Sequence, residues 1–148
     1  MSFTLLSPGS VVICQVDRVY AVKADVTIIA YESSLNGQTE VLRYPARGSI
    51  RLQDVRSFEI DKATMMDHFV PSDFVRAHLL SVGDMKSCFL STVGQEFGVI
   101  NATDSDGNKL VPVDQSHMKN DRGMVFKRKV ARPTWLTFET PTSHLEQH

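Results

Sequence analysis

Two runs near the start of the chain alternate apolar and polar residues with a period of two. In the first, Val11 to Tyr20, Val12, Cys14 and Val16 share one side, and the run begins just after the breaker pair Pro8-Gly9. In the second, Val22, Ala24, Val26 and Ile28 alternate with Lys23, Asp25 and Thr27. Side chains on a strand point alternately to opposite faces, so this spacing predicts two strands, each with one buried face. Tyr31 to Glu40 is polar and carries the reversal signal Asn36-Gly37, which predicts an exposed loop. A third strand is predicted over Val41 to Arg51, with a bulge or strand edge at Pro45, which lacks a ladder N–H.

Leu52 to Val70 places Asp61, Met65, Met66 and Phe69 at spacings that suit a short helix or two helical turns. Asp73 to Val82 and Lys86 to Thr92 then read as two strands across the reversal Gly83-Asp84. Five strands in this order predict a Greek-key barrel over residues 8–93. Gly48 sits where strand three would leave the barrel, a place for a residue that accepts φ angles others resist. Beyond Gly94 come short apolar pieces, Phe97 to Ala102, Leu110 to Val113 and Met124 to Val130, separated by polar clusters. They predict a three-stranded appendage over residues 94–132, docked on the barrel because it is too small to stand alone. Residues 133–148 lack periodicity apart from Trp135-Leu136-Thr137-Phe138 and are expected to form a mobile tail.

Composition narrows the chemistry. The chain has 148 residues, enough for one full core and a small addition. Charged residues make up 22% with a formal net charge of −1, so nucleic-acid binding would have to come from a local patch. No apolar run approaches the roughly 20 residues that span a bilayer. Met1 to Gly9 lacks the basic and apolar regions of a secretion signal, so a soluble, non-secreted protein without membrane partners is expected. Cys14 and Cys88 lie inside strand-like runs and read as buried small hydrophobes.

Several segments carry a more specific signal: Arg47-Gly48-Ser49-Ile50-Arg51, Asp54-Val55-Arg56, Phe69 to Val75, Ser81-Val82-Gly83-Asp84, Leu90-Ser91-Thr92, Phe97-Gly98-Val99 and Arg128-Lys129-Val130-Ala131. In order and spacing they resemble the S1-domain cap subunit of the RNA exosome. The resemblance implies an all-β fold: an S1-type OB barrel followed by a zinc-ribbon-like appendage. It also implies a non-catalytic adaptor on a ring of six RNase-PH-like subunits, beside the other cap subunits, leading RNA 3′ ends to the channel. A nuclear, nucleolar and cytoplasmic location follows from the same likeness. Three departures qualify it. The family normally carries an N-terminal domain ahead of the barrel, whereas strand one is expected here about ten residues from Met1. The archaeal ribbon's cysteine pairs are replaced around Thr103 to Gly107 and Ser116 to Asn120, so neither zinc nor another cofactor is expected. Strand two reads Val22-Lys23-Ala24-Asp25-Val26 without stacking aromatics, so RNA affinity is expected to be weak.

Arg18, Lys23, Arg47, Arg51 and Arg56 are expected to converge on one side of such a barrel, where guanidinium forks suit phosphate. Phe89, beside Lys86, offers a ring for a base, while Tyr20 and Tyr44 suit core or rim packing better. Lys127, Arg128, Lys129 and Arg132 are expected to meet a protein partner, with an RNA phosphate track as the second reading, and Trp135 and Phe138 are expected at the partner interface. His68, His78, His117, His144 and His148 show no ligand spacing, and the scattered aspartates suit turns and caps rather than a nuclease centre. The rival reading is a docking module with no RNA contact, and an RNA hydrolase ranks below both.

Overall fold

The alternation builds a barrel wall. In a computed structural model that describes residues 6–33, 37–57, 64–82 and 87–132, β1 (Val11–Val19) turns Val12, Cys14 and Val16 inward. β2 (Lys23–Glu32) buries Ala24, Val26 and Ile28, and β3 (Thr39–Arg51) buries Gly48 and Ile50. β4 (Phe74–Val82) adds Val75, Ala77 and Leu79, and β5 (Cys88–Ser91) adds Cys88 and Leu90. The strands pair in the order β1-β2-β3-β5-β4, and β4 returns to β1, which closes the barrel. Only the β3–β5 pairing among these five is parallel. This is an all-β OB barrel. Both cysteines are free and buried in its wall, and burial pushes the Cys14 thiol up to about 12.

The bulge expected near Pro45 is a register jump: Ile28 faces Ala46, whereas Ala30 faces Val41. Among its described residues the helical stretch forms two 3₁₀ turns, Leu52–Asp54 and Met65–Asp67, and the second brings Met65 and Phe69 into the core. Asp61, the reversal at Gly83-Asp84 and the tail lie outside the described residues.

Gly48 corrects the reason given for it. Its φ is not positive; the residue is small because β3 crosses close to its neighbours. A Cβ there would lie 3.0 Å from Leu90 Cδ1 and 3.1 Å from Val26 Cγ2. Gly98 is the glycine held by conformation, with φ +138 and the Lys129 carbonyl 2.3 Å from where a Cβ would be.

The appendage differs from expectation in its strands. β6 (Gly98–Asn101) lies on the barrel sheet beside β4, because buried Val99 packs with the core. The three-stranded sheet is β7 (Val111–Asp114), β8 (His117–Lys119) and β9 (Val125–Lys127). β8 falls in a segment that reads as polar, and Met118 is its buried residue. The chain then returns to the barrel: Lys129 N–H bonds the His68 carbonyl, and Ala131 N–H bonds the Val99 carbonyl.

One carboxylate organises the appendage's loops. Asp104 accepts bonds from the Asp106 and Asn108 N–H groups and from the Asn108 and Asn120 side-chain amides. These bonds hold its carboxyl below the usual range. Asn120 in turn accepts from the Arg122 and Met124 N–H groups.

Candidate nucleic-acid interface

The outward positions of β1, β2, β3 and β5 form one continuous face. Register places Arg18 opposite Asp25, Asp25 opposite Ser49 and Ser49 opposite Phe89, a row across four strands. Beside it, Lys23 faces Arg51; on the other side, Thr27 faces Arg47. Cross-strand partners share a face, so Arg18, Lys23, Arg47, Arg51 and Phe89 come together. The Arg51 guanidinium lies 4.7 Å from the Phe89 ring centroid, so that ring already carries a cation on one side.

Acidic neighbours temper the charge. Lys23 reaches Asp25 at 3.3 Å, Arg51 reaches Asp54 at 2.8 Å, and Asp17 accepts a 2.6 Å bond from the Thr27 hydroxyl. The four cations are thus offset by Asp17, Asp25 and Asp54, and a small positive excess remains. Tyr20 stands at the rim with Lys23 5.4 Å from its ring centre, and exposed Tyr44 lies under Arg43 further along β3.

Arg56 does not join this face. It lines a cleft of about 530 Å³ between barrel and appendage, together with His68, His117, Lys127 and Lys129. Burial lowers the His68 pKa, and the positive charges of Arg56 and Lys129 lower it further against the Thr64 carbonyl bond and Asp67. Lys86, Trp135 and Phe138 lie outside the described residues.

The basic run after β8 divides its tasks. Lys127 is exposed, and Arg132 bonds the Gln95 side chain at 3.0 Å. Arg128 is buried and donates to Asp73 at 2.7 Å. The Lys129 ammonium donates to the Gly94 and Phe97 carbonyls, and burial pulls its pKa down to about 8. Exposure falls from Lys127, the last residue of β9, to the buried Arg128 just beyond it, and Arg128 and Lys129 hold the fold rather than a free surface.

Sequence reasoning set aside His68 and His117, which line the cleft. No spacing signal marks them, because they come from segments 49 positions apart that meet only through the docked appendage. It also left out Asp25, whose place opposite Arg18 is visible in the alternation once the β1–β2 register is known.

Residues 38–82 match the family model described as exosome component EXOSC1/CSL4. The chain is 36% identical over 126 residues to the exosome complex component csl4 of Schizosaccharomyces pombe, covering 84% of this chain and 66% of that one. The corresponding components of Mus musculus and Homo sapiens are 34% and 35% identical over the same share of this chain, and 62% of each is covered. The chain therefore spans slightly less than two thirds of the length of these relatives.

Proposed function

The chain belongs to the exosome component EXOSC1/CSL4 family, and from that membership and the face just described we propose that it is a non-catalytic cap subunit of the RNA exosome. In this reading it contacts single-stranded RNA weakly, bridges ring subunits and guides RNA 3′ ends toward the channel in nucleus, nucleolus and cytoplasm.

The observation that carries the RNA contact is the Arg51–Phe89 pair, set on one face with Arg18, Lys23 and Arg47 of β1, β2 and β3. A base can stack on the ring while neighbouring guanidinium and ammonium groups meet its phosphates, which binds RNA without reading its sequence. The adjoining carboxylates keep that attraction small, so affinity is set by how many RNA contacts the assembled cap supplies together.

Two measurements test the proposal: co-purification of the chain with a reconstituted six-subunit ring, and titration of a labelled single-stranded RNA at two salt concentrations. Ring binding with weak, salt-sensitive RNA affinity is the expected result. RNA binding without ring binding would leave a free-standing RNA-binding barrel. Ring binding with no RNA contact would favour the docking module, a reading supported by the valine, alanine and lysine that fill strand two in place of aromatics.

A further inference from the structure

The outward face ends where β3 runs into the 3₁₀ turn Leu52–Asp54, and five residues beyond Arg51 the chain enters the barrel–appendage cleft at Arg56. Cations therefore stand at both ends of one short turn, one on the face and one in the cleft.

The cleft's lining is rich in donors. Arg56 and Lys127 contribute cations, Ser57, Thr64 and Ser116 contribute hydroxyls, and His68 and His117 contribute imidazoles. His68 Nδ1 is engaged by the Thr64 carbonyl at 2.6 Å, and His117 Nδ1 by Asp114 at 2.9 Å. Asp67 is the carboxylate among the described lining residues, and Glu96 acts on Lys129 from nearby. Arg56, Lys127 and Lys129 are offset by Asp67, Glu96 and Asp114, so an anion here would be held by the local arrangement of donors rather than by net charge.

We propose that this cleft is a second phosphate site, which holds one backbone phosphate of a single-stranded RNA that also crosses the outward face. A tetrahedral phosphate has acceptor oxygens on several sides, which matches donors that arrive from the barrel, the Met65–Asp67 turn and the appendage at once. A carboxylate offers two oxygens in one plane and fits this spread less well. At about 530 Å³ the cleft has room for a phosphate with its sugar. The inference rests on the RNA reading above, and it adds the appendage to the RNA path.

The test uses the full chain in three forms: the natural sequence, a cleft variant with Arg56→Gln and Lys127→Gln, and a face variant with Arg47→Gln and Arg51→Gln. Inorganic phosphate is titrated while the imidazole resonances of His68 and His117 are followed by NMR, and a labelled oligouridylate is titrated across a salt series. Phosphate should move both histidines in the natural sequence and much less in the cleft variant. The cleft variant should also flatten the salt slope of RNA binding by about 0.7, the contribution of one phosphate contact to a single strand.

Histidines unmoved by tens of millimolar phosphate would overturn the site. A slope flattened by the face variant and unchanged by the cleft variant would overturn the inference and leave the RNA reading intact. Unchanged slopes in both would remove RNA from the molecule altogether. A flattened slope in the cleft variant alone would keep the cleft and dismiss the face. Lys127 is exposed, so Lys127→Gln by itself, with a smaller flattening in the same direction, serves if the double variant does not fold.

Discussion

Arg128 Nε lies 2.7 Å from Asp73 Oδ2, with the two side chains 6% and 3% exposed, and the pair ties the segment after β9 to the turn before β4. The same carboxylate oxygen accepts the Val70 N–H, so the pair is braced on the barrel side. Burial raises the Asp73 pKa while Arg128 opposes the rise.

Removal of one partner leaves the other as a buried, uncompensated charge. Arg128→Ala should therefore lower unfolding stability by about 3–5 kcal/mol, read by urea denaturation. Arg128→Met combined with Asp73→Leu should lose much less, because neither charge is then stranded. Equal losses in the single and double variants would show that the site matters through packing rather than charge.

Lys129 makes stability depend on alkaline pH. Its pKa falls from 10.5 to about 8 on folding, so between those values the unfolded chain binds more protons than the native one. Stability should then rise with pH through this window and fall as pH drops through about 8, by at most about 1.4 kcal/mol per pH unit. The comparison is with Lys129→Met, whose profile should lack this rise.

Asp25 restrains the candidate RNA face. It pairs with Lys23 and stands opposite Arg18, so Asp25→Asn should tighten oligonucleotide binding and steepen its salt dependence. Phe89→Ala should have the opposite effect, about 1–3 kcal/mol if a base stacks there. Fluorescence anisotropy reads both, and a tighter Phe89→Ala complex would remove the ring from the interface.

The two glycines should rank by what surrounds them. Gly98→Ala meets backbone at 2.3 Å in a positive-φ conformation, so it should exceed the roughly 1–3 kcal/mol typical of overpacking. Gly48→Ala meets the tips of Leu90 and Val26, which can shift, and should fall at or below that range. Thermal unfolding of the two variants gives the order directly.

The barrel was legible because β1, β2 and β4 each alternate over nine or ten residues, long enough for a period of two to stand out. The same alternation disclosed the face, since Lys23 and Arg51 occupy outward positions by count alone. β8 escaped notice because a three-residue strand with Met118 inward shows no period. Gly98–Asn101 was assigned to the wrong sheet because an apolar run does not say which neighbour buries it. The cleft was invisible for a different reason. Its lining comes from residues near 56, 66, 94, 116 and 128, and nothing local in the chain marks their meeting.

The knot of Asp104 and Asn120 joins two loops of the appendage that lie 16 positions apart in the chain. Hydrogen bonds from Asp104 and Asn120 set both loop shapes. The fastening is open to slow chemistry of the amide: deamidation at Asn120 would put a carboxylate beside Asp104 and turn the contact into a repulsion, an ageing lesion.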